Sequence, residues 1–372
     1  MQLNQMGEYE RQYDNFCSFQ DNLHKMIGMV LNSQIFTPNS IRHFKALKDL
    51  CYKKLSVLGI NFERKPTNQM DVICDLYKGY LSLEYPELND FENTAIAFSN
   101  KIELSDYNEE ISNFLAELEK IIHNKMASSI SGVFVHGSIS TNDYTDFSDF
   151  DAGIIVKNEV MLNPHLLKGL KENIKRALKI ILKFDNLQHH GFFIIPEGFL
   201  DHYPEEYLPL EVFKFAKSLS NPFKVKIKIY RNLDTAREKF LRIADTLDDD
   251  KFKPPSNLYE IKRLLSGFML LPTFYLQIRG IYIYKKFSFD LVREEFLDSW
   301  WVMDRVSQLR QDWIRPKSNL FDALSDIVRN PWLTSAVYRK FNWQSPEWLS
   351  NNLNNKLYDG MKSLVAKMAK KI

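Results

Sequence analysis

The sequence predicts an α+β fold: a small mixed β-sheet core at residues 128–231, set between an N-terminal helical region, 1–127, and a C-terminal helical domain, 232–372. Three observations carry this reading. Before residue 127, apolar residues recur at steps of three and four, the spacing of one helix face. From Ser128 the texture changes to short β-type runs punctuated by glycine. After Arg231 helical spacing returns, and Trp300, Trp301, Trp313, Trp332, Trp343 and Trp348, the only tryptophans, all lie there.

Taken in order, stretches around 14–31, 40–58 and 68–83 read as helices, punctuated by Pro38, Pro66 and Pro86. Ile111, Phe114, Leu115, Leu118, Ile121, Ile122 and Met126 form the clearest apolar stripe, with Ser105 or Asp106 as the expected cap. Gly132–Gly137 and Asp149–Val156 are the first two β-type runs. Asn163-Pro164 then opens a helix, since Asn caps well and Pro fits the first helical position. Leu166, Leu167, Leu170, Ile174, Leu178 and Ile181 are its expected buried stripe. A third run spans Leu187–Ile195. In a fourth, Phe223–Tyr230, Lys224, Lys226 and Lys228 alternate with Val225, Ile227 and Ile229. Asp248–Pro255 reads as a charged, proline-ended connector.

A chain of 372 residues buries a large core without disulfides or a structural metal. With 45% hydrophobic and 26% charged residues it is not a disordered chain, and a net charge of +2 excludes a strongly basic nucleic-acid-coating type. The N-terminus lacks the apolar run of a secretory signal, and the longest apolar stretch, Gly267–Ile278, is too short to span a bilayer. Cys17, Cys51 and Cys74 show no CxxC or histidine spacing and read as reduced thiols. The expectation is a cytoplasmic protein with no membrane partner.

The segment that carries chemistry runs from Val133 to Val156. A strand ends in Gly137-Ser138, and Asp149-Phe150-Asp151 enters the next. Residues i and i+2 of a strand face the same side, so Asp149 and Asp151 should point together and Phe150 away. Two neighbouring carboxylates repel unless a cation lies between them. Oxygen ligands of this kind suit Mg²⁺, which also binds substrate phosphates. Gly137 lets the backbone approach a phosphate, and Ser138 offers a hydroxyl and an amide to its oxygens.

This arrangement resembles the DNA polymerase β-like nucleotidyltransferase superfamily, whose signature is a hydrophobic strand, Gly-Ser or Gly-Gly, about a dozen residues, and Asp-x-Asp or Asp-x-Glu on the next strand. The resemblance covers about 100 residues, including the helix and strand that follow. It implies transfer of a nucleoside monophosphate from an NTP such as ATP to a hydroxyl, with release of pyrophosphate. Asp149 and Asp151 would hold two Mg²⁺ or Mn²⁺ ions, and Gly137 and Ser138 would meet the phosphates. The acceptor stays open: an RNA or tRNA end, a protein side chain or a small molecule.

The family's third carboxylate has no counterpart at the centre of the third run. Asp185 stands just before it as a candidate metal ligand. By strand parity only one of His189 and His190 faces the acids. His190, which shares its face with Gln188, is the expected base or ligand. Lys168, Lys171, Lys175 and Lys179 line one helix, with Arg176 and Lys183 nearby, as a solvated face or an RNA track. Tyr282, Tyr284, Lys285 and Lys286 are candidates to stack a base and hold a triphosphate, or else core residues.

The rival reading is a binding or regulatory protein, antitoxin-like, that keeps the fold without turnover; the missing acid favours it. No histidine follows His202, which removes an Arg/His ribonuclease pair from the C-terminal helices. A Gly-x-Ser-x-Gly elbow, zinc spacings and phosphate-loop fingerprints are absent from the sequence.

Overall fold

The computed structural model describes residues 2–63, 66–83, 92–247, 252–316, 319–341 and 347–372. Pro86, Trp343 and residues 248–251 of the charged connector lie outside the described residues.

Helices α1 (Gln2–Leu31), α2 (Pro38–Val57) and α3 (Gln69–Leu81) open the chain. Thr37 and Ser40 close a reciprocal capping box at the start of α2, with Pro38 at the first helical position. Strand β1 (Glu92–Phe98) follows, so the N-terminal region is not wholly helical. Helix α4 (Glu109–Ile121) is capped by Asn108, whose side-chain oxygen accepts the Ile111 N–H at 3.0 Å. The expected caps, Ser105 and Asp106, instead form a 3₁₀ turn, Leu104–Asp106.

The central elements are β2 (Ile130–His136), α5 (Gly137–Ser140), β3 (Asp151–Val156), α6 (Asn158–Met161), α7 (Pro164–Phe184), β4 (Phe193–Pro196), β5 (Tyr203–Pro204), α8 (Leu210–Phe215), β6 (Lys217–Ser218) and β7 (Phe223–Tyr230). Asn163 caps α7 as expected, accepting the N–H groups of His165 and Leu166. Of its expected stripe Leu167, Leu170, Ile174, Leu178 and Ile181 are buried, while Leu166 is exposed.

The strands form two sheets, where the sequence suggested one. The first has the order β4-β3-β2-β6 and the second β1-β7-β5. Strands β2 and β3 are antiparallel, with His136 opposite Asp151. Strand β4 lies parallel to β3, and the connection through α7 is the helical crossover that a parallel pair requires. Strand β7 has the expected alternation, with Val225, Ile227 and Ile229 buried, but it pairs with β1 from the N-terminal region. Stacked rings join the sheets: Phe98 lies 5.0 Å from Phe134 and 4.4 Å from Phe223.

The C-terminal region carries α9 (Leu233–Thr246), α10 (Leu258–Phe268), α11 (Leu271–Ile278), α12 (Lys285–Arg293), α13 (Leu297–Gln311), α14 (Asn319–Ile327), α15 (Pro331–Phe341), α16 (Glu347–Asn352) and α17 (Asn355–Ala369). It does not enclose a single core. Phe321, Trp332 and Tyr338 of α14 and α15 join the core built by the N-terminal helices and the sheets. The remaining helices enclose a second core. Two side chains from the central region enter that second core: Phe147, from the loop before β3, and Leu187, from the turn after α7. Each lies two residues from a polar residue of the candidate site. Among the described residues no helix is long and apolar enough to cross a membrane.

Candidate functional site

Strand β2 delivers the chain to Gly137, whose φ of +72° lies in the left-handed region. A β-carbon there would stand 2.7 Å from Asp151 Oδ2, so a larger residue is excluded by both space and backbone conformation. The Gly137-Ser138 turn and Asp151 are thereby brought against each other. Asp149 lies just before β3 rather than within it. Phe150 is buried between the two acids in sequence, and the Asp149 charge raises the affinity of Asp151 for a proton.

Facing them is the segment Leu187–Phe192, which is irregular; β4 begins only at Phe193. The parity argument for choosing one histidine therefore fails, because no strand runs through them. His189 Nδ1 lies 3.4 Å from Asp149 Oδ2, and His190 Nε2 lies 3.1 Å from Asp151 Oδ1. The two imidazoles meet edge to face, with centroids 4.9 Å apart.

The backbone behind the histidines is fixed by two amides. Gln188 accepts the Phe150 N–H and donates to the Phe150 carbonyl, both at 3.0 Å. Asn32, just after α1, does the same for Phe192, at 2.9 Å in both directions. Gly191 leaves room for it: a β-carbon there would fall 2.2 Å from Asn32 Oδ1.

Asp185 does not join the acids as a further ligand. Its carboxylate is buried after α7, where Oδ1 accepts the Leu187 N–H and Oδ2 meets Lys262 Nζ at 2.5 Å. Lys262, on α10, also lies 2.9 Å from Asp149 Oδ1 and is 1% exposed. Burial opposes its charge, but the two carboxylates outweigh burial and raise its pKa above the ordinary lysine value.

Sequence reasoning missed Lys262, although the signal is present. It sits inside the apolar stripe Leu258, Ile261, Leu265, Phe268, where a charge calls for a buried partner. Arg310 of α13 was missed too. Its guanidinium lies over the Phe147 ring, 4.6 Å from the centroid, and its buried Nε has no hydrogen-bond partner among the described residues. Burial lowers its pKa against the pull of Asp149 and Asp151.

The charges of the same acids act on Lys285. Burial first, then the Arg310 charge, push its ammonium down to about 8 against the attraction of Asp151 and Asp149. Lys286 is turned to the rim, where it pairs with Asp143 at 2.7 Å in an exposed ion pair. Tyr282 and Tyr284 are buried. Tyr284 packs on Phe215 with centroids 4.8 Å apart, a core contact rather than an open stacking platform. Lys179 reaches the Ser325 carbonyl at 2.9 Å and Lys175 pairs with Glu172, so this helix face is engaged in local structure.

The electrostatics of the acids are dominated by these cations. Burial works against ionised Asp149, yet Lys262 and the histidines hold its carboxyl well below the usual range. Burial likewise opposes Asp151, but His190 and His136 hold it low. His190 is pushed up to about 9: burial lowers it, and the Asp151 carboxylate more than compensates. Two carboxylates and two imidazoles thus meet beside Lys262, within the electrostatic reach of Lys285 and Arg310. Compared with protein-family models, curated proteins and solved structures, the chain matches none of them.

Proposed function

We propose that the protein is a nucleotidyltransferase that moves a nucleoside monophosphate from an NTP to a hydroxyl acceptor. The observation that carries this reading is the close approach of Gly137 to Asp151, next but one in the chain to Asp149, with both acids acting electrostatically on Lys285 and Arg310. It supports a site in which a triphosphate meets backbone on one side and cations on the other.

The donor set fits a divalent ion: Asp149 and Asp151 offer carboxylate oxygens, and the buried His189 Nδ1 has no hydrogen-bond partner. Such an ion would supply positive charge for the α-phosphate and would weaken the hold of His190 on its proton. Gly137 admits the phosphate backbone, and Ser138 offers its amide and hydroxyl. Lys285 and Arg310 neutralise the phosphate oxygens as charge builds on them. His190, paired with Asp151, favours the imidazolium form. It therefore gives a hydrogen bond or a proton more readily than it takes one, and the base role expected from sequence requires that charge to leave first.

One observation favours a second reading. Lys262 already neutralises Asp149 and Asp185, which suits a protein that binds nucleotide or a partner without turnover. Incorporation of label from α-labelled NTPs into RNA, protein or small-molecule acceptors, with Mg²⁺ or Mn²⁺ and an Asp151→Asn control, decides between them. Label incorporated by the parent chain and lost in the control supports transfer. NTP binding without incorporation supports the second reading.

A further inference from the structure

One ligand atom each from Asp149, His189 and His190 lies within 4.8 Å of the other two. We infer that this trio binds a single divalent ion of the Mn²⁺, Co²⁺ and Zn²⁺ class in preference to Mg²⁺, and that the Lys262 ammonium holds the place beside Asp149 that a second ion would take. The inference rests on the proposed reading only in placing a cation beside the same acids.

The donor chemistry is the first argument. Mg²⁺ is a hard ion that keeps oxygen ligands and water, whereas imidazole nitrogen suits the later divalent metals. Two nitrogens and one carboxylate oxygen form a mixed set of the kind the later metals take.

The second argument is an unsatisfied atom. His189 Nδ1 is buried and has no hydrogen-bond partner, although Asp149 Oδ2 is 3.4 Å away. The pair is close enough to interact but does not meet the geometry of a hydrogen bond. Two ligands bound at ~2.1 Å in tetrahedral array stand about 3.4 Å apart, so the same separation suits a shared ion.

The third argument is the surroundings of His190. Its Nδ1 lies 3.2 Å from the Gly191 carbonyl, which can only accept, so Nδ1 carries the proton. A metal-binding histidine is commonly oriented in this way, its far nitrogen donating to a backbone carbonyl. That leaves Nε2 on the side of the acids, 3.1 Å from Asp151 Oδ1, where a bound ion replaces the proton that Nε2 gives this carboxylate. Asp151 then stands next to the ligand set as a neighbour able to hold the ion's water or a phosphate-bound partner.

The fourth argument limits the number of ions. A second ion at Asp149 Oδ1, the oxygen not beside His189, would draw on Asp185, the acid across Lys262. Lys262 lies between these two carboxylates, at 2.9 and 2.5 Å, and is 1% exposed. Its positive charge offsets both and repels a cation brought to the same place, although it hydrogen-bonds only Asp185.

Calorimetric titration of the full chain with Zn²⁺, Co²⁺, Mn²⁺ and Mg²⁺ tests the inference, with the visible absorption of Co²⁺ as a second reading. One equivalent of Co²⁺ is expected, bound at least about tenfold more tightly than Mg²⁺. His189→Gln and His190→Gln should each weaken Co²⁺ by roughly tenfold or more. If either variant fails to fold, the parent chain still decides. Zn²⁺ must then shift the imidazole resonances of His189 and His190 at one equivalent. Two equivalents, no binding, Mg²⁺ bound as tightly as Co²⁺, or unmoved resonances would overturn the inference. Binding is read without turnover. A chain that takes one Co²⁺ through both histidines but transfers no nucleotide keeps this inference and loses the transferase reading. Transfer that continues with Mg²⁺ after both histidines are replaced does the reverse.

Discussion

The side chain of Gln188 pairs with Phe150 as a neighbouring strand would, accepting its N–H and donating to its carbonyl at 3.0 Å. Both residues are buried. Phe150 separates the two acids in sequence, and His189 and His190 follow Gln188 directly, so one amide sets the distance between the carboxylates and the imidazoles. Gln188 Nε2 also reaches the His190 carbonyl at 3.1 Å.

Replacing Gln188 with Leu keeps much of the volume and leaves two buried backbone groups unpaired. A loss of about 2–6 kcal/mol is expected, since each orphaned group costs about 1–3 kcal/mol. Chemical denaturation checks the size. A positioning role predicts more than lost stability: below the melting temperature Gln188→Leu should also bind Co²⁺ more weakly. A variant that is less stable but binds Co²⁺ normally would reduce Gln188 to a structural residue.

Gly191 and Asn32 form the matching support on the other side. A β-carbon at 191 meets the Asn32 amide at 2.2 Å, so Gly191→Ala must displace it from Phe192. Overpacking of this kind costs about 1–3 kcal/mol. The expected outcome is a lower melting temperature together with shifted His189 and His190 resonances. Shifts confined to residues far from 189–192 would contradict the proposed role of this contact.

What the sequence disclosed follows how local each signal is. The cap at Asn163, the crossover helix and the Gly137 to Asp151 segment are written in contiguous residues, and the structure brings Gly137 against Asp151. The alternation of Phe223–Tyr230 was legible, but its partner was not, because Ala95 and Ala97 leave the edge strand Glu92–Phe98 with weak patterning. Parity allowed only one histidine to face the acids, where both do, since it assumed a strand where a side-chain amide does the pairing. Lys262 and Arg310 come from helices more than a hundred residues away in the chain, and only their lone charges on apolar helix faces hint at a buried partner.

Lys262 reverses one expectation about the acids. Two carboxylates facing each other without a cation would gain stability when one is neutralised. With Lys262 and His189 already on Asp149, neutralising it removes attraction instead. Asp149→Asn should therefore lower the melting temperature, not raise it. Lys262→Met should be worse, by about 3–5 kcal/mol at neutral pH, because it strands Asp149 and Asp185 as buried charges. The deficit should shrink in acid, because without Lys262 burial favours the neutral Asp149 carboxyl. Melting curves of both variants at pH 7 and pH 4.5 check the sign, and a rise for Asp149→Asn would show that repulsion outweighs the lysine.

Acid should weaken the whole protein through two histidines outside the site. Burial pushes His24 down to about 4, against the pull of Asp21, while its Nε2–H donates to the Ile194 carbonyl at 2.8 Å. Burial also pushes His202 down to about 4, helped by the Lys228 charge. In both, the folded chain binds a proton less readily than the unfolded chain, whose histidines titrate near 6.5. Their contribution is complete above pH 6.5 and is lost as pH falls from 6.5 to 4, by up to about 3 kcal/mol each. His190 acts in the opposite sense. Raised to about 9, it stabilises fully below pH 6.5 and loses that contribution as pH rises toward 9, a smaller effect because its ring is 37% exposed. Asp149 and Asp151, held low, begin to lose theirs only below the ordinary aspartate value of 3.8, outside the histidine window. Urea midpoints should peak near pH 6.5 and fall steeply toward pH 4. His24→Gln retains a donor for the Ile194 carbonyl and removes the titration, so its acid limb should flatten. A slope from pH 6.5 to 4 unchanged by that substitution would assign the acid loss to other groups.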